Sequence, residues 1–101
     1  MADQFAKEGN WEGAVFLYQG ASQKDPKNIR LREKLNEAKA QAAGQHYQKG
    51  RGLLKEKNIP QALEEFKRAM SLDPGKQEHQ DGLNEALSLK EAQDLYVSGL
   101  K

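Results

Sequence analysis

One set of residues recurs along the chain at a fixed spacing of 48 positions, and this spacing restricts the fold more than any other feature of the sequence. The first set is Ala14, Tyr18, Ala21 and Pro26, and its counterparts are Ala62, Phe66, Ala69 and Pro74. The letters LNEA at residues 35–38 recur with the same offset at residues 83–86. Fixed-period self-similarity is typical of stacked repeats, in which one unit cannot bury its own apolar face. We therefore expect successive units to pack on one another.

The spacing inside each set predicts helices. Ala62, Phe66 and Ala69 lie three or four positions apart, which puts them on one face of a helix. Asn58 precedes them and can cap this helix with its side chain, and Pro74 follows its end. The first set, after Asn10, has the same pattern, and strand alternation is missing throughout. The chain is therefore expected to be all-α.

A long helix is expected between the two sets. An apolar stripe continues from Leu31 to Leu53 with few polar interruptions and no proline. It predicts one helix from about Ile29 to Lys57, which would be about 40 Å long at 1.5 Å per residue. The alternative that the sequence leaves open is a break near Gly44.

Alanine recurs at positions where leucine would bury more apolar area. Small side chains at Ala14, Ala21, Ala62 and Ala69 are expected where neighbouring helices approach closely. Larger residues there would force the helices apart at a cost of about 1–3 kcal/mol. We expect Tyr18 and Phe66 to fill the space that the alanines leave.

The composition agrees with one domain of amphipathic helices. The chain has 101 residues, of which 37% are hydrophobic and 31% are charged, and it contains no cysteine. This length makes two domains improbable. The lack of cysteine excludes disulfides, thiolate metal sites and cysteine nucleophiles. No apolar run is long enough to cross a bilayer, so we expect a soluble segment without direct membrane insertion.

The arrangement of these residues resembles the tetratricopeptide repeat family, whose unit is a helix hairpin of about 34 residues. The match is best over residues 44–74, where small or apolar family positions fall on Gly50, Leu53, Ala62, Phe66, Ala69 and Pro74. An incomplete copy spans residues 5–26, with Gly9 at its turn. Three features depart from the pattern: Lys57 replaces the turn glycine, and His46 and Lys49 stand at core positions.

The longer period is expected to extend the first helix of each hairpin at its N-terminus, because about fourteen residues return a helical stripe to nearly the same face. The resemblance then implies hairpins stacked as a short right-handed solenoid with elongated first helices. It divides the chain into a partial repeat (1–28), an extended repeat (29–76) and a partial repeat (77–101). Apolar edges at both ends predict self-association, as a homodimer through the terminal helices.

The resemblance also implies a function, namely a non-catalytic scaffold for protein interaction or assembly. A weaker likeness is to tetratricopeptide segments of bacterial secretion and pilus envelope proteins. The location of the protein, in the cytoplasm or in the bacterial periplasm, is therefore left open. The inner surface of the family maps onto residues of the long helix, namely Gly44, Tyr47, Gln48, Arg51, Leu54 and Lys55. An aromatic, an amide and two cations suit a peptide or helix that carries an acidic group. The alternative for Tyr47 is that it packs on the neighbouring helix.

No constellation of residues points to catalysis, a metal or a cofactor. The two histidines, His46 and His79, are 33 residues apart and lack carboxylates spaced for a zinc site or a catalytic dyad. We expect His46 to be a packed or half-exposed residue on the helix stripe and His79 to face solvent. Adjacent acids such as Glu64 and Glu65 diverge on a helix, so they do not form an acid–base pair.

The alternative function is binding to nucleic acid or another anionic surface through the basic helix 27–57. Residues 24–57 hold ten Lys or Arg and four acids, whereas residues 60–101 hold five and eight. The cations that would bind are Lys27, Arg30, Arg32, Lys34, Lys39, Lys49, Arg51, Lys55 and Lys57. Glu33, Glu37 and Glu56 interrupt this patch, and Tyr47 is the only aromatic near it that could stack on a base. A nucleic-acid partner is therefore the less favoured prediction.

Overall fold

The computed structural model describes residues 2–99, and the side chains of residues 2–95. Within this part the chain forms five helices and no strand: α1 (Ala2–Lys7), α2 (Trp11–Lys24), α3 (Ile29–Lys55), α4 (Ile59–Leu72) and α5 (Gln77–Gly99). The prediction of an all-α fold is confirmed. The long helix α3 is continuous through Gly44, so the alternative of a break there is wrong.

The chain divides into two compact units, Met1–Gly44 and Gln45–Lys101. In the first unit α1 packs against α2, and in the second α4 packs against α5. The predicted last repeat (77–101) corresponds to α5, and its final two residues lie outside the described part of the chain.

The turns that precede α2 and α4 have the same backbone conformation, 48 residues apart. Gly9 and Lys57, at equivalent positions, both adopt a positive φ, of 78° and 66°. After each, the next N–H donates to a carbonyl five residues back: Asn10 to Phe5 at 2.8 Å, and Asn58 to Leu53 at 2.8 Å. The left-handed conformation explains why glycine suits this turn, and Lys57 adopts it in spite of its side chain.

The two asparagines that precede α2 and α4 do not act alike. Asn10 Oδ1 accepts a hydrogen bond from Gly13 N–H at 3.0 Å, which is the expected cap. Asn58 makes no side-chain cap, and its amide lies 3.4 Å from a carboxylate oxygen of Glu56. The predicted cap at Asn58 is therefore wrong. Pro60 compensates in part, because its missing N–H removes one group that would need a partner in the first turn of α4.

A polar cluster connects three helices of the first unit. The Tyr18 hydroxyl donates a hydrogen bond to Asp3, and Lys34 Nζ lies 3.1 Å from the same carboxylate. The hydrogen bond from Tyr18, followed by the one from Lys34, lowers the pKa of Asp3 below 3.8. The bond to Asp3, together with burial, raises the pKa of Tyr18 to about 12. These contacts join the short helix α1 to α2 and to the start of α3.

The second unit is built around Phe66. Its core consists of buried Ile59, Ala62, Leu63, Phe66 and Ala86, with Tyr47, Leu53, Leu54 and Leu83 partly buried against them. Phe66 is completely buried between two glycines from different helices. A methyl group at Gly50 of α3 or at Gly82 of α5 would lie 2.7 Å from the same ring carbon, Cε1. Both helices can approach the ring this closely only because these residues have no side chain.

The alanines of the two repeated sets differ in burial. Ala14, Ala62 and Ala69 are fully buried, as close packing requires. Ala21 is only half-buried, because it lines an open groove along α2. The expectation of a tight contact at this position is therefore wrong.

Candidate partner-binding surface

Three of the residues that the sequence predicts for partner binding form a stripe along α3. Gln48, Arg51 and Lys55 are separated by three and four positions, which places them on one face of the helix. Gln48 and Lys55 are exposed, and the side chain of Arg51 is 41% exposed. An amide, a guanidinium and an ammonium group are therefore available to a partner on one side of α3.

Arg51 connects this stripe to the neighbouring helix α5. Its Nη1 lies 2.6 Å from a carboxylate oxygen of Glu85, whose side chain is 52% exposed. An ion pair that water reaches this freely contributes about 0–1 kcal/mol to stability. We call the set Gln48, Arg51, Lys55 and Glu85 the α3–α5 surface.

Of the other three predicted residues, Gly44 is half-buried earlier on α3, and Tyr47 and Leu54 point away from this stripe. The ring of Tyr47 is half-buried, with its centre 5.8 Å from that of Phe66 and 5.4 Å from that of His79. Leu54 is half-buried against the core around Phe66. The alternative interpretation of Tyr47, packing on neighbouring helices, therefore describes its position, and Leu54 also has a packing role.

His79 lies beneath this surface, in the first turn of α5. It is only 1% exposed, so the prediction that it faces solvent is wrong. Its two ring nitrogens form no hydrogen bond with the described residues. Burial lowers the pKa of His79 below 6.5, and this effect outweighs the opposing charge of the nearby Asp73. Burial therefore disfavours the charged form of this histidine, and its ring packs against Tyr47.

His46 lies on another side of α3, facing α4. It is 5% exposed, in agreement with the prediction of a packed residue, and its Nδ1 lies 2.5 Å from Glu65 Oε2. Glu64, next to Glu65, points elsewhere and lies 3.7 Å from Lys67 Nζ. The two adjacent acids thus diverge, as their spacing on a helix predicts.

An open groove of about 540 Å³ follows this other side of the hairpin. Its lining includes Lys49, Leu53, Glu56, Gln61 and Glu64. Lys49 is thus separated from the stripe of Arg51 although both belong to α3. It provides a matched control position for tests of the α3–α5 surface.

Sequence reasoning placed His79 wrongly and missed two other residues that shape this region, Gly82 and Glu85. Gly82 and Ala86 are four positions apart, a spacing that places small residues on one helix face, and this signal was available. His79 stands 48 positions after Leu31, so the repeat itself places it at an apolar position. Nothing in the sequence singles out Glu85 as the partner of Arg51.

No protein-family model matches the chain, and no curated protein matches it either. Among residues 2–99, no cluster of three or more His, Cys, Asp or Glu side chains could hold a metal ion. In the same part of the chain, none of the helices is both long and apolar enough to span a membrane.

Proposed function

We propose that the chain is a non-catalytic scaffold for protein interaction or assembly, which binds an acidic peptide or helix along the α3–α5 surface. The observation that carries the proposal is the half-exposed Arg51–Glu85 pair between two helices. Because such a pair contributes little to stability, a carboxylate of a partner can replace Glu85 at small cost. The exposed Lys55 and Gln48 then supply a second charge contact and a hydrogen bond along the same face.

The likeness to tetratricopeptide hairpins supports this function, because that family binds peptides on the corresponding helices. Small residues at the helix contacts support the likeness: Gly50 lies against Phe66, and Ala62 and Ala69 are fully buried. On the same likeness, the proposal includes stacking of the hairpins as a short solenoid. A bacterial secretion or pilus assembly is a setting that rests on the weaker likeness alone.

The basic helix is the less favoured basis for a function. Arg30 and Arg32 are two positions apart and therefore project to opposite sides of α3. Acids lie next to two of the cations, Asp3 beside Lys34 and Glu85 beside Arg51, and they reduce the positive potential of the helix. The cations thus do not form one continuous face, and we expect no retardation of a DNA duplex or single strand at low salt.

Selection from a random peptide library displayed on phage tests the proposed function. We expect enriched peptides to carry Asp or Glu and to lose at least about tenfold in affinity for the variant Arg51→Gln/Lys55→Gln. The matched control is Lys49→Gln/Lys67→Gln, which also removes two positive charges but away from the surface. Absence of enriched peptides, or equal loss in the two variants, would contradict the proposal.

A further inference from the structure

The two most exposed large apolar side chains among the described residues lie on different helices. Phe16 of α2 is 76% exposed and Leu95 of α5 is 67% exposed. Isolated apolar residues on a surface need no explanation, but each of these belongs to a larger feature. The two features differ in shape and in charge.

The feature on α2 is an open groove of about 620 Å³, which we call the α2 groove. Its lining includes Phe16, Leu17, Gly20 and Lys24. Gly20 leaves a gap, since a methyl group built there would meet no atom within 4 Å. The groove therefore has an aromatic wall, an unfilled position at the glycine and a cation at one end. Residues 24–34, which follow it, hold five cations and two acids.

The feature on α5 is a narrow stripe, which we call the α5 face. Leu87, Glu91, Asp94 and Leu95 are spaced as positions i, i+4, i+7 and i+8, so they share one side of the helix. All four are exposed, and Leu87 is 45% exposed. Two leucines with two acids between them thus form an apolar ridge, and with Lys90 at its border the ridge keeps a net negative charge.

We propose that the α5 face of one copy of the chain docks in the α2 groove of a second copy. The leucines would cover Phe16 and fill the gap at Gly20, and the acids would approach Lys24 and the basic residues beyond it. Burial of apolar surface drives such an association, and opposite charges select the partner face.

Charge also decides between this arrangement and a symmetric dimer. Pairing two α5 faces would oppose Glu91 and Asp94 with the same acids, and pairing two α2 grooves would oppose Lys24 with itself. Like charges across a contact are unfavourable. The contact is therefore head-to-tail, and each copy offers one donor face and one acceptor groove, in place of the homodimer that the sequence suggests.

Sedimentation equilibrium of the 101-residue chain tests the inference. We expect an apparent mass that rises with concentration, and more weakly at high salt because charges contribute. Phe16→Lys and Leu95→Lys should each weaken self-association by at least about tenfold. A mixture of these two variants should form a heterodimer, since one retains the α5 face and the other retains the α2 groove.

A third variant separates docking from folding. Gly20→Leu fills the groove and replaces glycine with a better helix former, so the melting temperature should not fall while association is lost. The inference is wrong if the wild-type chain is monomeric at its solubility limit or if the mixed variants remain monomeric. It is also wrong if only Leu95→Lys has an effect, because this would indicate pairing between two α5 faces. These tests are independent of peptide binding at Arg51.

Discussion

Gly50 and Phe66 are in direct contact across α3 and α4, and a methyl group at Gly50 would lie 2.7 Å from the ring. Gly82 makes the equivalent approach from α5, so one aromatic ring joins three helices. Non-bonded carbon atoms are at their best distance at about 3.5–4.0 Å, so an added methyl group could not be accommodated without movement. The arrangement of the second unit thus depends on two residues that have no side chain.

The stability of the second unit should depend on pH through His79. Burial lowers the folded pKa of His79 below the unfolded value of 6.5. A proton therefore binds His79 more tightly in the unfolded chain than in the folded chain. The stabilisation that buried, neutral His79 provides is complete above pH 6.5 and is lost as the pH falls below 6.5 towards the folded pKa. Urea denaturation at a series of pH values measures this loss. His79→Leu, which introduces the residue type found at the equivalent Leu31, should flatten the curve, and an unchanged curve would contradict the role of His79.

Lys57→Gly should stabilise the chain. Lys57 adopts φ of 66°, a left-handed conformation that costs a residue with a side chain about 1–2 kcal/mol and that glycine adopts readily. Because glycine loses more entropy on folding, the net gain should be about 1 kcal/mol, measured by chemical denaturation. The matched change, Gly9→Ala at the equivalent turn, should destabilise. A loss of stability in Lys57→Gly would show that a contact of the lysine side chain stabilises the fold by more than relief of the left-handed conformation does.

The pH at which Tyr18 ionises should show whether its hydrogen bond to Asp3 forms. The hydrogen bond to Asp3 raises the pKa of Tyr18 from 10.0 to about 12, so the stabilisation is present below pH 10 and is lost as the pH rises through about 12. A titration followed by tyrosinate absorbance should show a late-ionising component, which disappears in Tyr18→Phe. Asp3→Asn should return the pKa towards 10.0. If Asp3→Asn leaves the titration unchanged, the hydrogen bond does not control this tyrosine.

The sequence was most informative where structure repeats. The 48-residue offset predicted the helices α2 and α4, and the buried alanines at 62 and 69 follow from the same pattern. The tetrads at residues 35–38 and 83–86 even share their burial, with only Ala38 and Ala86 completely buried. Local spacing and small residues fix these features, so a single sequence suffices.

Features that differ between the repeats were missed because the residues around them are polar and indicate a solvated helix face. His79 lies among polar residues, yet α5 turns it inward against Tyr47. Gly82 corresponds to Lys34 in the earlier repeat, so the offset does not indicate a close contact there. The predicted binding residues were divided for the same reason: Tyr47 and Leu54 pack inward, whereas Gln48 and Lys55 stay exposed.

The most direct test of the account is the unfolding free energy of Gly50→Ala, measured with and without Phe66→Leu. Against the wild-type ring, the added methyl group should destabilise by about 1–3 kcal/mol, in spite of the better helix propensity of alanine. In the Phe66→Leu background, where the facing side chain is smaller, the same change should be neutral or stabilising by up to about 1 kcal/mol. Gly20→Ala, in open space, serves as the control and should stabilise. If Gly50→Ala stabilises the wild-type chain as much as Gly20→Ala does, the helices do not interlock around Phe66.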